Sequence, residues 1–151
     1  MKNRILFFLI IFFSFEKLYA DSIQISSKNI VLDKNRESSI FENEVFAKTD
    51  KNHTVQSEYA EYNKKTGKII FKNNVRLEDE KKNKIITQYA EYNEKSKIFK
   101  TVGITKITTS ENYALEGKDI ILNKNESFIR SNSKATIFDK EKNIIYLDQF
   151  E

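Results

Sequence analysis

Apolar and polar residues alternate along most of the chain after residue 20. In the segment from 68 to 78, for example, Ile69, Phe71, Val75 and Leu77 alternate with residues that are mostly polar. A period of two is typical of a strand with one buried face. The segments are rich in Ile, Val, Phe, Tyr and Thr, which favour pleated sheet over helix. No stretch keeps the helical pattern for three turns, so the sequence predicts an all-β protein with almost no helix.

A repeat with a period of thirty residues runs through these segments. The pentapeptide Tyr-Ala-Glu-Tyr-Asn occurs at 59–63 and again at 89–93, and related segments stand at 30–33 and 120–123. A second polar cluster that ends in Asn falls between successive copies, so each unit holds two strands and two turns. The equivalent turn-opening residues are Asp33, Asn63, Asn93 and Asn123. We therefore expect antiparallel strand pairs whose stacked copies share one core.

Two local features refine this picture. Asn or Asp at the start of a turn can hydrogen-bond the backbone two residues later, which favours a hairpin after Asn63 and after Asn93. Gly67 supplies a residue suited to positive φ in the first of these turns, whereas the second has no glycine. The doublet Asn73-Asn74 interrupts an otherwise regular strand and predicts a β-bulge, which would shift the facing of the residues beyond it.

Composition excludes several classes of site. The 151 residues include no cysteine, no proline, one histidine and three glycines, so thiolate metal sites, His-rich zinc sites and Gly-rich phosphate loops are excluded. Glu61 and Glu91 recur because their unit recurs, and Glu78 to Glu80 fall in a turn. His53 also falls in a turn and is expected to be exposed. We predict no catalytic residue, no metal and no cofactor, and hence no enzyme.

The charge pattern and the first residues bear on partners and location. Half of the formal net charge of +4 lies in residues 1–20, and the other lysines are interleaved with acids, so no nucleic-acid partner is predicted. Lys2 and Arg4 precede an apolar run from Ile5 to Phe15, followed by Leu18-Tyr19-Ala20. This pattern predicts a secretory signal peptide cleaved after Ala20, with an uncleaved anchor as the alternative.

These features together resemble a known family. The chain has an export signal, tandem strand pairs built on the Tyr-Ala-Glu-Tyr-Asn repeat, and Asn-Asn-Val at 73–75. In these features it is similar to the organic-solvent-tolerance (OstA-like) family of lipopolysaccharide transport. That family includes LptA, LptC and the N-terminal domain of LptD. The resemblance covers roughly residues 22–151 and implies an open, V-shaped β-jellyroll that lies in the periplasm, either free there or associated with the outer membrane. It also implies two kinds of partner, lipopolysaccharide and other β-jellyroll domains joined by edge strands.

The resemblance implies a groove that shields lipid A acyl chains, and the repeat then indicates which residues line it. We expect these to be apolar residues at the repeating inward positions, namely Ile30, Leu32, Ala60, Tyr62, Val75, Leu77, Ala90, Tyr92, Val102, Ile104, Ile120 and Leu122. Groove wall and ordinary core share one face in such a fold, so each residue could serve either purpose.

Two questions stay open at the level of sequence. The domain at 21–151 stops inside a repeat, so its last strand either docks another family member or continues into a longer LptD-like protein, and we favour the second interpretation. A secreted structural protein that assembles edge to edge would share the signal, the repeat and the open edges. Such a filament has no need of a continuous apolar groove and should not take up lipid.

Overall fold

The computed structural model describes residues 23–35, 37–49, 52–123, 125–126 and 128–151. These residues form antiparallel strands and no helix, which confirms the predicted all-β class. The predicted signal peptide and its cleavage site lie outside the described residues. The strands are β1 (Ile23–Ser26), β2 (Asn29–Asp33), β3 (Ser38–Thr49), β4 (Thr54–Asn63), β5 (Lys68–Glu78), β6 (Lys84–Asn93), β7 (Ile98–Thr108), β8 (Ala114–Lys118), β9 (Ile121–Asn123), β10 (Phe128–Arg130), β11 (Ala135–Phe138) and β12 (Ile144–Leu147).

Five long strands, β3 to β7, are shared by two half-sheets. At one end, β2 pairs with the first half of β3 and β1 pairs with its second half. At the other end, β9 pairs with the first half of β7 and β8 with its second half. Half-sheet A therefore runs β2-β3-β4-β5-β6-β7-β9-β10, and half-sheet B runs β1-β3-β4-β5-β6-β7-β8-β11-β12. The two half-sheets form the open, unclosed jellyroll that the sequence predicts.

A line of bulges separates the half-sheets, and we call this line the crease. The register shifts in every pairing between β3 and β7. At the predicted bulge, Asn73 and Asn74 have φ of 62° and 53°, which confirms that prediction. Asparagine tolerates this left-handed conformation better than most residues. Two such residues in succession bend the strand, and the inner surfaces of the half-sheets then meet in one core.

The core lies between the inner surfaces. It includes Phe41, Ala60 and Ile69 from half-sheet A and Val45 and Val75 from half-sheet B, each less than 10 % exposed. Because opposite residues on paired strands point to the same side, the register places equivalent side chains of successive strands in continuous inner rows. Each thirty-residue unit of the predicted repeat thus adds one pair of strands to the core.

The turns follow the predicted asparagine chemistry. The Asn63 side-chain oxygen accepts a hydrogen bond from the Thr66 amide at 2.9 Å, and Asn93 accepts equivalent bonds from the amides of residues 95 and 96. Gly67 closes the first turn with φ of 68°, and Lys97 closes the second with φ of 56°. A lysine thus occupies a conformation that favours glycine, which explains how the second turn forms without one.

The repeat departs from a simple meander after β7. Its next strand is divided into β8 and β9 by Asp119, which has φ of 52° and whose carboxylate accepts a hydrogen bond from the Gly103 amide at 2.8 Å. The chain then forms β10 and returns to place β11 beside β8. Strands β10 and β12 end the two half-sheets, and a bridge between Ser131 and Phe150 joins the chain beyond them.

The predicted facing is wrong for Val102 and Ile104. Both point outward, with 55 % and 73 % of their surface exposed. The physical reason is their place in the alternation of β7: thirty residues earlier they correspond to the polar residues Lys72 and Asn74 rather than to the buried Phe71 and Val75. Thr101 and Thr105, on either side of this pair, face inward and are buried.

Candidate functional site

An apolar cleft opens between the half-sheets. Its volume is about 50 Å³, or about 450 Å³ when the open space at its mouth is included. Residues from both inner surfaces line it: Ile23, Ala47, Thr49, His53, Val55, Ile69, Phe71, Leu77, Tyr92 and Phe99. Thr49, His53 and Tyr92 are the lining residues that carry polar side-chain atoms. His53 is half-buried at the cleft, which corrects the expectation of an exposed turn histidine.

The structure divides the sequence-predicted groove residues into groups. Leu77 and Tyr92 line the cleft. Tyr62 and Leu122 pack against the core. The residues that are fully buried beneath the inner surface are Ala60, Val75, Ala90 and Ile120.

The other four predicted residues lie apart from the cleft. Ile30 and Leu32 pair with Phe41 and Ser39 and so share the inner side, but β2 is an edge strand and leaves them 56 % and 68 % exposed. Val102 and Ile104 lie on the outer surface, as described above. The twelve predicted residues therefore do not form one continuous lining.

Several lining residues were missed, although the repeat contains the signal for them. Ile69 and Phe99 stand thirty residues apart and both line the cleft. Val55 lines it as well, and Ile85, its equivalent one repeat later, is buried in the same core. Applying the thirty-residue spacing separately on each side of the crease would have found these positions.

Tyr62 lies between the core and Glu94, a residue of the turn that follows β6. Its ring packs against the core, and its hydroxyl donates a hydrogen bond to the Glu94 carboxylate at 2.9 Å. Burial, together with this bond, raises the pKa of Tyr62. The side chain therefore stays neutral across the physiological pH range, which suits an apolar inner surface.

A cluster of threonine hydroxyls closes the inner surface near the crease in β6 and β7. The Thr105 hydroxyl lies 2.7 Å from that of Thr101 and 3.3 Å from that of Thr87. The Thr101 oxygen also accepts the Ile120 amide at 3.0 Å. Thr101 and Thr105 stand thirty residues after Phe71 and Val75, so hydroxyls replace apolar side chains here. These groups bond to one another within the protein, which makes the cluster structural.

The outer surface of half-sheet A carries ion pairs and hydrogen bonds with the character of a solvated face. Lys68 pairs with Glu91 at 2.9 Å, and Tyr89 donates to the same carboxylate at 2.7 Å. Burial alone would raise the pKa of Glu91, but these two bonds outweigh it and lower the pKa. Burial and the bond to Glu91 raise the pKa of Tyr89 to about 12.

The described part of the chain contains neither a metal site nor a membrane-spanning helix. No group of three or more histidine or acidic side chains there could hold a metal ion. Within the same residues, no helix has the length and apolar character needed to cross a bilayer.

Comparison with known proteins identifies the family. Residues 20–130 match the family model described as lipopolysaccharide-assembly, LptC-related. The chain belongs to this LptC-related family. No curated protein sequence matches the chain. Among solved structures, the chain is similar to LptH, the LptA-homologous periplasmic component of the lipopolysaccharide transport device from Pseudomonas aeruginosa, with a TM-score of 0.65, 10 % identity, and coverage of 84 % of this chain and 94 % of LptH.

The family match and the structural likeness confirm the resemblance inferred from sequence. This LptC-related chain has the OstA-like fold of periplasmic lipopolysaccharide-transport components.

Proposed function

We propose that the cleft between the half-sheets binds the acyl chains of lipid A and shields them from water during lipopolysaccharide transport through the periplasm. The observation that carries the proposal is an open cleft lined almost entirely by apolar side chains from two facing surfaces. Moving an acyl chain through water exposes apolar surface at a cost of about 25 cal/mol per Å². A sheet-lined cleft removes that cost along its length.

The inner rows extend beyond the cleft toward both edges. Ile30 and Leu32 continue the inner side at β2, and Ile145 continues it at β12, where it pairs with Ile137. Ile30, Leu32 and Ile145 are each at least half exposed. Ile137 is partly buried. We infer that further β-jellyroll domains pair with the edge strands and extend the apolar path. A structural filament would use the same edges, but it gives no reason for an open apolar cleft.

Photocrosslinking tests the proposal. A photoreactive amino acid replaces Leu77 or Tyr92, both in the cleft, and purified lipopolysaccharide is added before irradiation. We expect crosslinks at both positions. The control position is Val102, which is apolar and exposed but lies on the outer surface. Crosslinks at Val102 with none in the cleft would contradict the proposal.

A charged substitution provides a second test. Tyr92→Asp places a carboxylate in the cleft and should abolish lipid uptake, because burying an unpaired charge is unfavourable. Strand content, measured by circular dichroism, should persist. Uptake that survives in a folded Tyr92→Asp variant would show that lipid binds elsewhere.

A further inference from the structure

The outer surface of half-sheet B exposes large apolar side chains. Ile86 on β6 is 47 % exposed and Ile104 on β7 is 73 % exposed. Both point away from the cleft, because their chain neighbours Ile85 and Thr105 are buried inside. Strand side chains stand roughly perpendicular to a sheet, so Ile86 and Ile104 project in the same direction. Neither contributes to the core.

Cationic side chains surround these two isoleucines. Arg76 and Lys106 lie directly opposite Ile86 on the neighbouring strands, and Lys118 lies directly opposite Ile104. Directly opposite residues have Cβ atoms about 5 Å apart. We call these five residues, Ile86, Ile104, Arg76, Lys106 and Lys118, the basic isoleucine face.

The nearby carboxylates already have partners. Glu116 pairs with Lys106 at 2.9 Å, Glu78 pairs with Lys82 at 2.7 Å, and Asp119 accepts the Gly103 amide. Arg76 and Lys118 form no ion pair with any residue that the structure describes. Their charges are therefore available to an anion outside the protein.

The outer surface of half-sheet A differs in this respect. It also exposes an apolar residue, Val31, at 52 %. Three of its cations lie beside a carboxylate or an aromatic ring. Lys68 pairs with Glu91, Lys100 lies directly opposite the same Glu91, and the Lys72 ammonium lies 4.9 Å from the centre of the Tyr59 ring. The combination of exposed isoleucine with unpaired cations is thus a property of half-sheet B.

We propose that the basic isoleucine face rests on the surface of a bilayer that contains anionic phospholipid. A surface of this composition places apolar side chains at the headgroup boundary while its cations contact phosphate groups. The face lies on the opposite side of half-sheet B from the cleft. Bilayer contact would therefore hold the cleft close to the membrane without covering it, and the inference stands independently of what the cleft binds.

Site-directed fluorescence tests this inference on the full chain. The sequence contains no cysteine, so Ile104→Cys can be labelled at one position with the environment-sensitive dye NBD. The labelled protein is mixed with phosphatidylcholine vesicles that contain or lack phosphatidylglycerol. We expect the anionic vesicles to increase NBD emission about twofold and to shift it to shorter wavelength. Spin-labelled lipid should then quench it.

The matched control is Val31→Cys, an exposed apolar position on the other outer surface, whose NBD emission should not change. In about 0.5 M salt, where the Debye length is below about 5 Å, the response at position 104 should largely disappear. Equal responses at both positions, or a response at 104 that does not depend on phosphatidylglycerol, would overturn the inference. An unchanged spectrum at 104 would overturn it as well.

A charge reversal separates the face from net charge. Lys118→Glu, made in the Ile104→Cys background, should remove most of the NBD response. Lys64→Glu changes the net charge equally but lies in a turn of half-sheet A, and it should leave the response intact. Equal losses in both variants would mean that overall charge rather than this face attracts the vesicle.

Discussion

At the scale of single residues, Tyr89 shows how the outer surface of half-sheet A depends on protonation. Its hydroxyl donates to Glu91, which also receives the Lys68 ammonium. The neutral phenol is favoured in the folded chain, and the pKa of Tyr89 rises from 10.0 to about 12. An acid with a raised pKa stabilises the folded state below its unfolded pKa and loses that contribution as pH rises through the folded value.

We therefore predict a specific alkaline effect. The free energy of unfolding should fall between pH 10 and about 12, in part because the unfolded chain releases the Tyr89 proton first. Tyr89→Phe should reduce that fall. Urea titrations at about pH 9 and at about pH 12 measure it, with Tyr113→Phe, a more exposed tyrosine, as the control. The same loss in the Tyr89→Phe variant and the unsubstituted protein would contradict the prediction.

Gly67 and Lys97 occupy equivalent turn positions with positive φ. A methyl group at Gly67 would lie 3.4 Å from the Lys95 side chain, an ordinary contact. The cost of Gly67→Ala therefore comes from the backbone, and we predict a loss of about 1 kcal/mol in the free energy of unfolding. Gly67→Asn should cost less, because asparagine tolerates this conformation. Chemical denaturation measures both, and equal losses would argue against the backbone explanation.

At the scale of elements, strand β12 forms an exposed edge of half-sheet B. Among the strands that the structure describes, β12 pairs with β11 alone, and 77 % of Tyr146 on this strand is exposed. An edge strand presents unpaired backbone groups that another strand can bind. The spacing of the repeat does not predict the order β8-β11-β12, which depends on long-range pairing.

Deleting residues 141–151 tests the role of β12. We expect weaker end-to-end association, because the last strand of half-sheet B is removed, and unchanged lipopolysaccharide binding in the cleft, which involves no residue of this segment. Analytical ultracentrifugation and the crosslinking assay at Leu77 measure the two properties. Circular dichroism confirms that the shortened chain is folded. Association that persists would exclude β12 as the docking edge.

At the scale of the whole molecule, small residues set the distance between the half-sheets. Ala60 and Ala90 stand thirty residues apart on β4 and β6, and neither has any exposed surface. A well-packed interior has no room for additional methylene groups, and overpacking usually costs about 1–3 kcal/mol. The alanine that recurs in the repeated pentapeptide is thus required for packing of the core and does not contact the cargo.

Ala90→Leu should therefore lower the free energy of unfolding by about 1–3 kcal/mol. Ala114→Leu, on the outer surface of half-sheet B, should change it by less than about 0.5 kcal/mol. Urea denaturation compares the two variants. If the Ala90→Leu variant is as stable as the unsubstituted chain, the half-sheets can separate without a loss of stability. A cleft that widens to admit its cargo would require this property.

The candidate site was predictable where the apolar residues of a strand hold its inward positions, and unpredictable in β7, where threonines hold them. Leu77 and Tyr92 were assigned to the groove and do line the cleft. Val102 and Ile104 are predicted on the same face but lie outside, because they are one residue out of phase with Thr101 and Thr105, which are buried. A change of one residue in register turns every later side chain of a strand to the other surface.

The sequence by itself determined the all-β class, the thirty-residue repeat, the asparagine-opened turns and the bulge at Asn73-Asn74. Each of these depends on short-range preferences that are present in every copy of the unit. Only the tertiary structure decided how the crease divides the long strands, which apolar residues of the two half-sheets meet in the cleft, and which remain exposed on the basic isoleucine face. Those outcomes depend on the summed bends of several strands and on long-range pairing, such as β11 with β8, and neither is encoded in the spacing of residues along one strand.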